Sequence, residues 1–304
     1  MEKTLDVSVI IVNYNTKELT RNCLKSVFER TDGIAFEVIV SDNGSTDGSL
    51  EMIRAEFPEV ILIENGANLG FGAANNRALA VARGKYVFYL NSDTVLLNNA
   101  VKMFFDYWEN SSERDEIGAL GCNLLDMKLN TNLSYGRFPC IKSFYKSIVR
   151  QFASEYIKPF VSFLIKKHTH FLSDFEPYYG DVDFITGADM FVKNDENAFF
   201  DETFFMFYEE TDLQFRMKLL GLKRRLIDGP KIIHYWGGSS ISLKNFNYKK
   251  KANIYSDMSG LKYLKKIFGK GIYFHGLKFL YLIIWCLPNN ILYTRKYLKE
   301  LVNI

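Results

Sequence analysis

Short β-branched runs alternate with amphipathic segments in the first hundred residues, and this alternation limits the fold more than any other feature. Strand-length apolar runs occur at four places, residues 7–12, 38–40, 60–63 and 86–90. Helical spacing of apolar residues follows the first three runs, at residues 19–28, after Ser45 and over residues 73–82. Repeated strand–helix units predict an α/β fold with a Rossmann-like, mostly parallel sheet that is flanked by helices.

Charge and cysteine content exclude several classes of protein. The 304 residues include 38 Lys and Arg against 35 Asp and Glu, a balance that does not indicate a nucleic-acid partner. The four cysteines, Cys23, Cys122, Cys140 and Cys286, are scattered and predict neither a zinc knuckle nor a disulfide framework. With no signal-peptide pattern near Met1, these features predict a cytoplasmic protein.

Polar loops follow the predicted strands at residues 13–15, 41–45, 65–72 and 91–94. Each loop alone is typical of turns and helix caps, but ligands bind where parallel strands end, so four such loops predict a binding site. No glycine-rich phosphate-binding motif follows any of these strands. A carboxylate such as Asp93 after an apolar strand instead suits a divalent cation that bridges diphosphate oxygens.

The second half of the chain is less regular. Residues 128–179 are rich in aromatic and basic side chains and predict a helical insertion, which either packs on the core or binds an acceptor. Residues 182–188 predict a strand, and residues 204–213 predict the approach to a helix that ends near Gly221.

Four segments, residues 7–15, 41–49, 68–76 and 90–94, together resemble the family 2 glycosyltransferases of the GT-A fold, in order and in spacing. The resemblance extends over roughly residues 5–240 and implies a catalytic domain over residues 1–240. It implies an inverting hexosyltransferase that uses a nucleotide-sugar donor, Mg²⁺ or Mn²⁺, and a glycan or lipid-linked glycan acceptor in bacterial surface glycan synthesis. The match is greatest to rhamnosyltransferases, which implies dTDP-rhamnose; a UDP-hexose donor for galactosyl or glucosyl transfer is the alternative.

The resemblance also implies which residues bind the donor: Tyr14, Asp42, Asn76, Asn91 and Asp93. Asp42 would contact the base and Tyr14 would lie along it. The DxD metal motif of the family is reduced here to Asn91-Ser92-Asp93, so Asp93 is the implied metal ligand. His234 would complete the metal site, although a structural role for this histidine stays open.

The acidic segment at residues 209–212 resembles the acceptor side of the family. Its second acidic position, the general base, falls on Glu210, while Tyr208, Glu209 and Asp212 would lie beside the acceptor. Acidic residues are also favoured at any helix N-terminus by the helix dipole, which is the alternative explanation. Glutamate at position 210 and asparagine at position 91 leave a non-catalytic glycan-binding module as a rival function.

Residues 241–304 predict a helical C-terminal extension with apolar residues flanked by lysines. Two interpretations stay open: a peripheral helix on the inner face of the cell membrane, or a helix packed on the catalytic domain. The longest apolar run, residues 279–287, is far shorter than the roughly 20 residues that span a bilayer.

Overall fold

The computed structural model describes residues 5–153, 176–235 and 246–304. Residues 154–175 of the predicted insertion and the Gly237-Gly238 loop therefore lie outside the described residues. The described chain forms two compact units, the first from residues 5–138 and 176–235 and the second from residues 139–153 and 246–304.

The first unit is built on an eight-stranded sheet, whose strands are numbered in chain order. Its first half consists of the predicted strands, which are β1 (Leu5–Asn13), β2 (Phe36–Asp42), β3 (Ile61–Glu64) and β4 (Gly84–Asn91). The helices between and after them are α1 (Lys17–Arg30), α2 (Ser49–Glu56), α3 (Phe71–Leu79) and α4 (Ala100–Asn110). Strands β1 to β4 are all parallel, which confirms the predicted fold class and brings their carboxyl ends to one edge.

The apolar runs form strands because both faces of the sheet are covered. Val7, Val9 and Ile11 of β1 point into one fully buried cluster, and Ile10 points into a second cluster on the opposite face. A continuous apolar run, rather than an alternating one, is typical of a strand buried on both sides. This burial holds β1 at the centre and so determines where the polar residues after it emerge.

The second half of the sheet is mixed. Its strands are β6 (Ile117–Gly121), β8 (Gly180–Val182), β10 (Asp189–Lys193) and β11 (Lys223–Leu226). The order across the whole sheet is β3-β2-β1-β4-β10-β6-β11-β8. Two small sheets are formed by β5 (Thr94–Leu96) with β12 (Ile232–His234) and by β7 (Tyr135–Gly136) with β9 (Phe184–Ile185). The single strand predicted over residues 182–188 is wrong in detail. The run divides because β8 pairs with β11 whereas β9 pairs with β7. The predicted late helix is α6 (Glu209–Leu219).

The second unit is helical, which confirms the predicted C-terminal helical part. It contains α5 (Ile141–Phe152), α7 (Phe246–Phe268), α8 (Ile272–Cys286), α9 (Pro288–Thr294) and α10 (Leu298–Asn303). Trp285 is buried, and its indole N–H donates to the Asp257 carboxylate at 2.9 Å. In the parts of the chain that the structure describes, no helix has the length and apolar character needed to cross a bilayer.

Asp189 is an ionisable side chain that lies inside the first unit without full hydrogen bonding. Asp189 begins β10 and is completely buried; its Oδ2 accepts the Cys122 N–H at 2.8 Å, but its Oδ1 has no hydrogen-bond partner among the described residues. Burial raises the pKa of Asp189 to about 8. The folded chain therefore favours the protonated acid.

We expect Asp189→Asn to remove a pH dependence of stability. Asp189 stabilises the folded state fully below its unfolded pKa, and this contribution is lost as pH rises towards about 8, with a slope of at most about 1.4 kcal/mol per pH unit. The amide has no proton to lose, so the free energy of unfolding of the variant should not show this fall. Urea unfolding of both proteins across this pH range measures it, and parallel curves would contradict the assignment.

Candidate functional site

The ends of β1, β2 and β4 are joined by a buried hydrogen-bond network centred on Asn13. The Asn13 amide N–H donates to Asp42 Oδ2 at 2.6 Å, and its carbonyl oxygen accepts the hydroxyls of Thr16 and Thr20, each at 2.7 Å. The Thr16 hydroxyl also lies 3.2 Å from that of Ser92. Three of the polar loops predicted to meet are thus connected through side chains.

Asp42 is completely buried, and its carboxylate builds the loop after β2. Oδ1 accepts the backbone N–H groups of Gly44 at 3.0 Å and Ser45 at 2.8 Å, while Oδ2 accepts from Asn13. This arrangement gives Asp42 a structural role, and its contact with a base stays a prediction. Tyr14, in contrast, is 46% exposed at the edge of the sheet, where a flat ligand has access to its ring.

The loop of residues 65–72 is held in place from two directions. Asn43 donates to the Gly70 carbonyl at 3.1 Å and accepts from Asn65 at 3.0 Å. Gly70 has a φ of +90°, and a Cβ at this position would lie 2.1 Å from the Phe205 carbonyl oxygen. Only glycine allows this approach, and the Phe71 N–H donates to the same carbonyl at 3.0 Å.

Asn76 supports the segment that leads to the acidic residues. Its amide N–H donates to the Phe200 carbonyl at 2.9 Å and to Glu202 Oε1 at 3.0 Å, and its oxygen accepts the Phe200 N–H at 2.9 Å. The side chain is buried. The structure thus places Asn76 beneath residues 200–202, and a direct contact with the donor stays a prediction.

Asp93 and His234 lie together, although they are far apart in sequence. The Asp93 Oδ1 and His234 Nε2 atoms are 3.2 Å apart. Pairing of β5 with β12 sets Thr94 opposite His234, and the Tyr235 N–H donates to the Asp93 carbonyl at 2.9 Å. Asn91 precedes this pair at the end of β4, with a half-buried side chain.

A carboxylate and an imidazole are ligand types that Mg²⁺ and Mn²⁺ accept, the carboxylate suiting both and the imidazole suiting the transition metal better. Over the described residues, no cluster of three or more histidine, cysteine or acidic side chains has the geometry of a metal site. Asp93 and His234 therefore offer two ligand atoms of the kinds that a divalent cation accepts, and metal binding by this pair stays a prediction.

The acidic segment enters α6 through an unusual backbone. Phe207 and Tyr208 have φ values of 68° and 70°, a left-handed conformation that is uncommon outside glycine and that costs conformational energy. Asp212 is completely buried, and its Oδ2 lies 3.2 Å from Arg216 Nε. Asp212 is thereby engaged in an ion pair that stabilises the first turns of α6.

Glu209 and Glu210 are the first two residues of α6. Glu209 is buried, and its Oε2 has no hydrogen-bond partner within the described ranges. Burial raises the pKa of both carboxyls, and the neighbouring Glu210 charge raises that of Glu209 further. Two adjacent carboxyls in a poorly solvated place favour retention of one proton between them.

The segment Gly187-Ala188 connects Glu210 with the end of β4. A Cβ on Gly187 would lie 3.5 Å from the Glu210 Cβ and 3.6 Å from a ring carbon of Phe71. On the other side, the Ala188 carbonyl accepts the Asn91 N–H at 3.0 Å. Glu210 and the Asn91-Ser92-Asp93 loop thus both lie next to one short segment.

Sequence reasoning missed the residues that hold this site together. Asn13 was part of a recognised loop, but nothing in the sequence assigned it to Asp42. The Gly187-Ala188 pair is a small-residue break between two apolar runs, but the sequence predicts it as part of a strand. Contacts between distant segments decide both roles.

We expect Asp42→Asn to destabilise the chain in the absence of any ligand. The new amide N–H would face the Asn13 amide N–H, so a buried donor loses its acceptor, and the free energy of unfolding should fall by about 1–3 kcal/mol. Urea unfolding measures this loss.

The matched control is the exchange Asn13→Asp with Asp42→Asn, which restores one acceptor facing one donor and should recover much of the stability. A double variant as unstable as the single one would refute this account of the network.

Comparisons with known proteins agree with this architecture. Residues 8–132 match the profile described as Glycosyl transferase family 2. A mannosyltransferase from Pyrobaculum calidifontis, solved with GDP-Man and Mn²⁺, superposes with a TM-score of 0.55 at 16% identity, covering 98% of this chain and 76% of that chain. This likeness concerns the fold, which is of the predicted GT-A type.

Curated relatives extend the comparison. An N-acetylglucosaminyl-diphospho-decaprenol L-rhamnosyltransferase of Mycobacterium tuberculosis is 25% identical over 243 residues, 75% of each chain. A UDP-Glc:alpha-D-GlcNAc-diphosphoundecaprenol beta-1,3-glucosyltransferase of Escherichia coli is 32% identical over 120 residues, 36% of this chain and 47% of that protein. The chain spans only 41%, 19% and 27% of the lengths of three other matching glycosyltransferases. These matches show that residues 8–132 are similar to glycosyltransferase family 2, and the rhamnosyltransferase alignment extends the similarity over three quarters of the chain.

Proposed function

We propose that this chain is an inverting glycosyltransferase that transfers a sugar from a nucleotide-diphosphate donor to a hydroxyl of a glycan or lipid-linked glycan acceptor. The observation that carries the proposal is that Glu210 and the loop bearing Asp93 both lie next to the short segment Gly187-Ala188, while Asp93 also pairs with His234. A displacement at the anomeric carbon requires a base and a diphosphate-holding site close to the same reacting atom.

On the donor side, the nucleotide would lie along the carboxyl ends of β1, β2 and β4. Tyr14 is exposed there and offers an aromatic surface to the base. Asp93 and His234 would hold Mg²⁺ or Mn²⁺, which when bound neutralises the charge of the diphosphate leaving group.

On the acceptor side, Glu210 would remove the proton of the attacking hydroxyl. The hydroxyl oxygen forms a bond to the anomeric carbon while the bond from that carbon to the diphosphate oxygen breaks, and the nucleoside diphosphate leaves with the electron pair. Burial and the Glu210 charge raise the pKa of Glu209 well above its ordinary value, which favours Glu210 as the carboxyl that ionises first. The exposed Phe207 and the partly exposed Phe205 and Tyr208 would supply apolar surface beside the acceptor, whereas Phe204 is buried.

The donor sugar is proposed from the relatives. The rhamnosyltransferase alignment spans three quarters of both chains and reaches well beyond residue 132, which favours dTDP-rhamnose. The glucosyltransferase alignment has higher identity over a shorter region and supports UDP-glucose as the second candidate. Protection against thermal unfolding by each nucleotide sugar, with and without Mn²⁺, separates the two.

Both of these relatives carry names with a polyprenol diphosphate acceptor. We therefore propose a lipid-linked acceptor for this chain and a peripheral position at the membrane surface. A non-catalytic glycan-binding module is the rival function, and it would release no nucleoside diphosphate from any donor.

We expect Asp93→Asn to abolish the gain in nucleoside diphosphate affinity that Mn²⁺ provides, because the amide is a poor ligand for a hard cation. Titration calorimetry with and without Mn²⁺ measures this gain. His234→Gln should reduce it as well, whereas Asp115→Asn, at an exposed position of the same unit, serves as the matched control and should not. A Mn²⁺ effect of parental size in Asp93→Asn would refute the metal assignment.

We expect Glu210→Gln to lower the rate of transfer by about 10²- to 10⁴-fold while donor affinity stays near that of the parent. The amide keeps the shape of the side chain but accepts no proton. Turnover with donor and acceptor, together with calorimetry of the donor, measures the two effects separately.

Glu209→Gln and Asp212→Asn are the parallel variants for the neighbouring carboxyls. In the parent, the rate should rise with pH through a pKa above the ordinary glutamate value, because burial raises the pKa of Glu210. If Glu210→Gln turns over at the parental rate while Glu209→Gln or Asp212→Asn loses turnover, the general base is that neighbouring residue instead of Glu210.

A further inference from the structure

Helix α8 has apolar residues on both of its faces, although only one face is packed. The buried face contributes to the core of the second unit through Phe274, Leu277, Tyr281, Ile284 and Trp285. The opposite face is exposed and consists of Ile272, Phe279, Ile283 and Cys286, with exposed fractions of 81%, 63% and 43% for the first three. These four positions recur at intervals of seven, four and three residues, so they form a single stripe along the helix, which we call the α8 stripe.

The unit that contains the α8 stripe is strongly basic. Residues 139–153 and 246–304 contain fourteen Lys and Arg but only two acidic residues, Asp257 and Glu300, whereas the whole chain has a net charge of only +3. Asp257 is buried and accepts from Trp285, and Glu300 lies 3.4 Å from Lys262. Glu300 therefore offsets the charge of Lys262, and the unit keeps a large positive excess.

Several lysines lie close to the α8 stripe. Lys270 is exposed and precedes Ile272 by two residues, and Lys278 is adjacent to Phe279 in α8. Partial burial lowers the pKa of Lys278, and the charges of Lys270 and Lys265 lower it further, so these two lysines lie near Lys278. Like charges are thus concentrated beside an apolar stripe, an arrangement that favours an anionic partner.

We propose that the α8 stripe and the nearby Lys265 and Lys270 form a docking surface for an anionic lipid bilayer. The apolar side chains would enter the boundary between headgroups and acyl chains, while the lysines contact the headgroup phosphates. The helix would lie on the membrane, in keeping with the absence of any bilayer-spanning helix from the described ranges.

A second copy of the chain fits the α8 stripe less well. A twofold symmetric contact brings the same surface of both copies together, and here it would bring two lysine clusters together as well. An anionic surface instead neutralises these charges. The proposal extends the proposed lipid-linked acceptor, because a bilayer surface would hold the enzyme where such an acceptor lies, but lipid binding is measured without any transfer reaction.

Co-sedimentation of the full chain with vesicles tests the surface. The parent should pellet with vesicles of equimolar phosphatidylglycerol and phosphatidylcholine and remain in the supernatant with pure phosphatidylcholine. Phe279→Ser with Ile283→Ser should weaken binding about tenfold or more, because two exposed apolar side chains are lost. Lys265→Glu with Lys270→Glu should weaken it at least about tenfold in low salt.

The matched control is Leu219→Ser with Leu220→Ser, which removes two exposed leucines from the first unit and should leave vesicle binding unchanged. The proposal is overturned if the parent does not pellet with anionic vesicles, or if the α8 variants pellet as the parent does. It is equally overturned if sedimentation velocity without lipid shows a parental dimer that Phe279→Ser with Ile283→Ser dissociates.

Binding of nucleoside diphosphate with Mn²⁺ is measured on the same proteins and separates this proposal from the proposed function. The α8 variants should bind it as the parent does, because none of the substituted residues belongs to the candidate site. If the α8 variants lose vesicle binding but keep nucleotide binding, the substitutions have affected the docking surface alone. Vesicle binding by a parent that binds no nucleotide would reject the proposed function and leave the surface standing.

Discussion

The hydrogen bond between Asn13 and Asp42 is the contact on which the site depends. It joins the ends of two neighbouring parallel strands inside the protein, where neither side chain reaches water. A buried polar group that loses its partner costs about 1–3 kcal/mol, so this contact holds both loops in one arrangement. The exposed position of Tyr14 and the hydroxyl contact between Thr16 and Ser92 both follow from where Asn13 is held.

Two parts of the chain of different character supply the site. The parallel strands contribute the loops after β1, β2 and β4, which are short and are joined to one another by the hydrogen bonds of Asn13 and Thr16. The later strands contribute His234 through the pairing of β12 with β5, and Gly187-Ala188 through the chain between β9 and β10. Pairing of β5 with β12 brings Asp93 and His234 together, and the Ala188 carbonyl accepts the Asn91 N–H, so backbone contacts join the late segments to the early loops.

Glycine and strained backbone concentrate where these parts meet. Gly70 permits a contact with the Phe205 carbonyl that any Cβ would prevent, and Phe207 and Tyr208 adopt left-handed conformations directly before Glu209. Such conformations persist only where surrounding contacts compensate for them, and they are concentrated at functional sites. Here they direct the first turn of α6, with its two raised-pKa carboxyls, towards Gly187.

The sequence by itself determined the parallel α/β fold, because continuous β-branched runs and helical spacing of apolar residues are local signals. A continuous apolar run is also what a strand buried on both faces requires, as β1 is. The family resemblance also predicted Asp93, His234 and Glu210 as site residues; the structure brings Asp93 and His234 together, and the roles of all three stay predictions. Only the tertiary structure decided that Asp42 is fully engaged in its own loop, that Asn76 supports residues 200–202, and that α8 keeps a second apolar face exposed. Each of these depends on contacts between residues distant in sequence, whose partners no local pattern specifies.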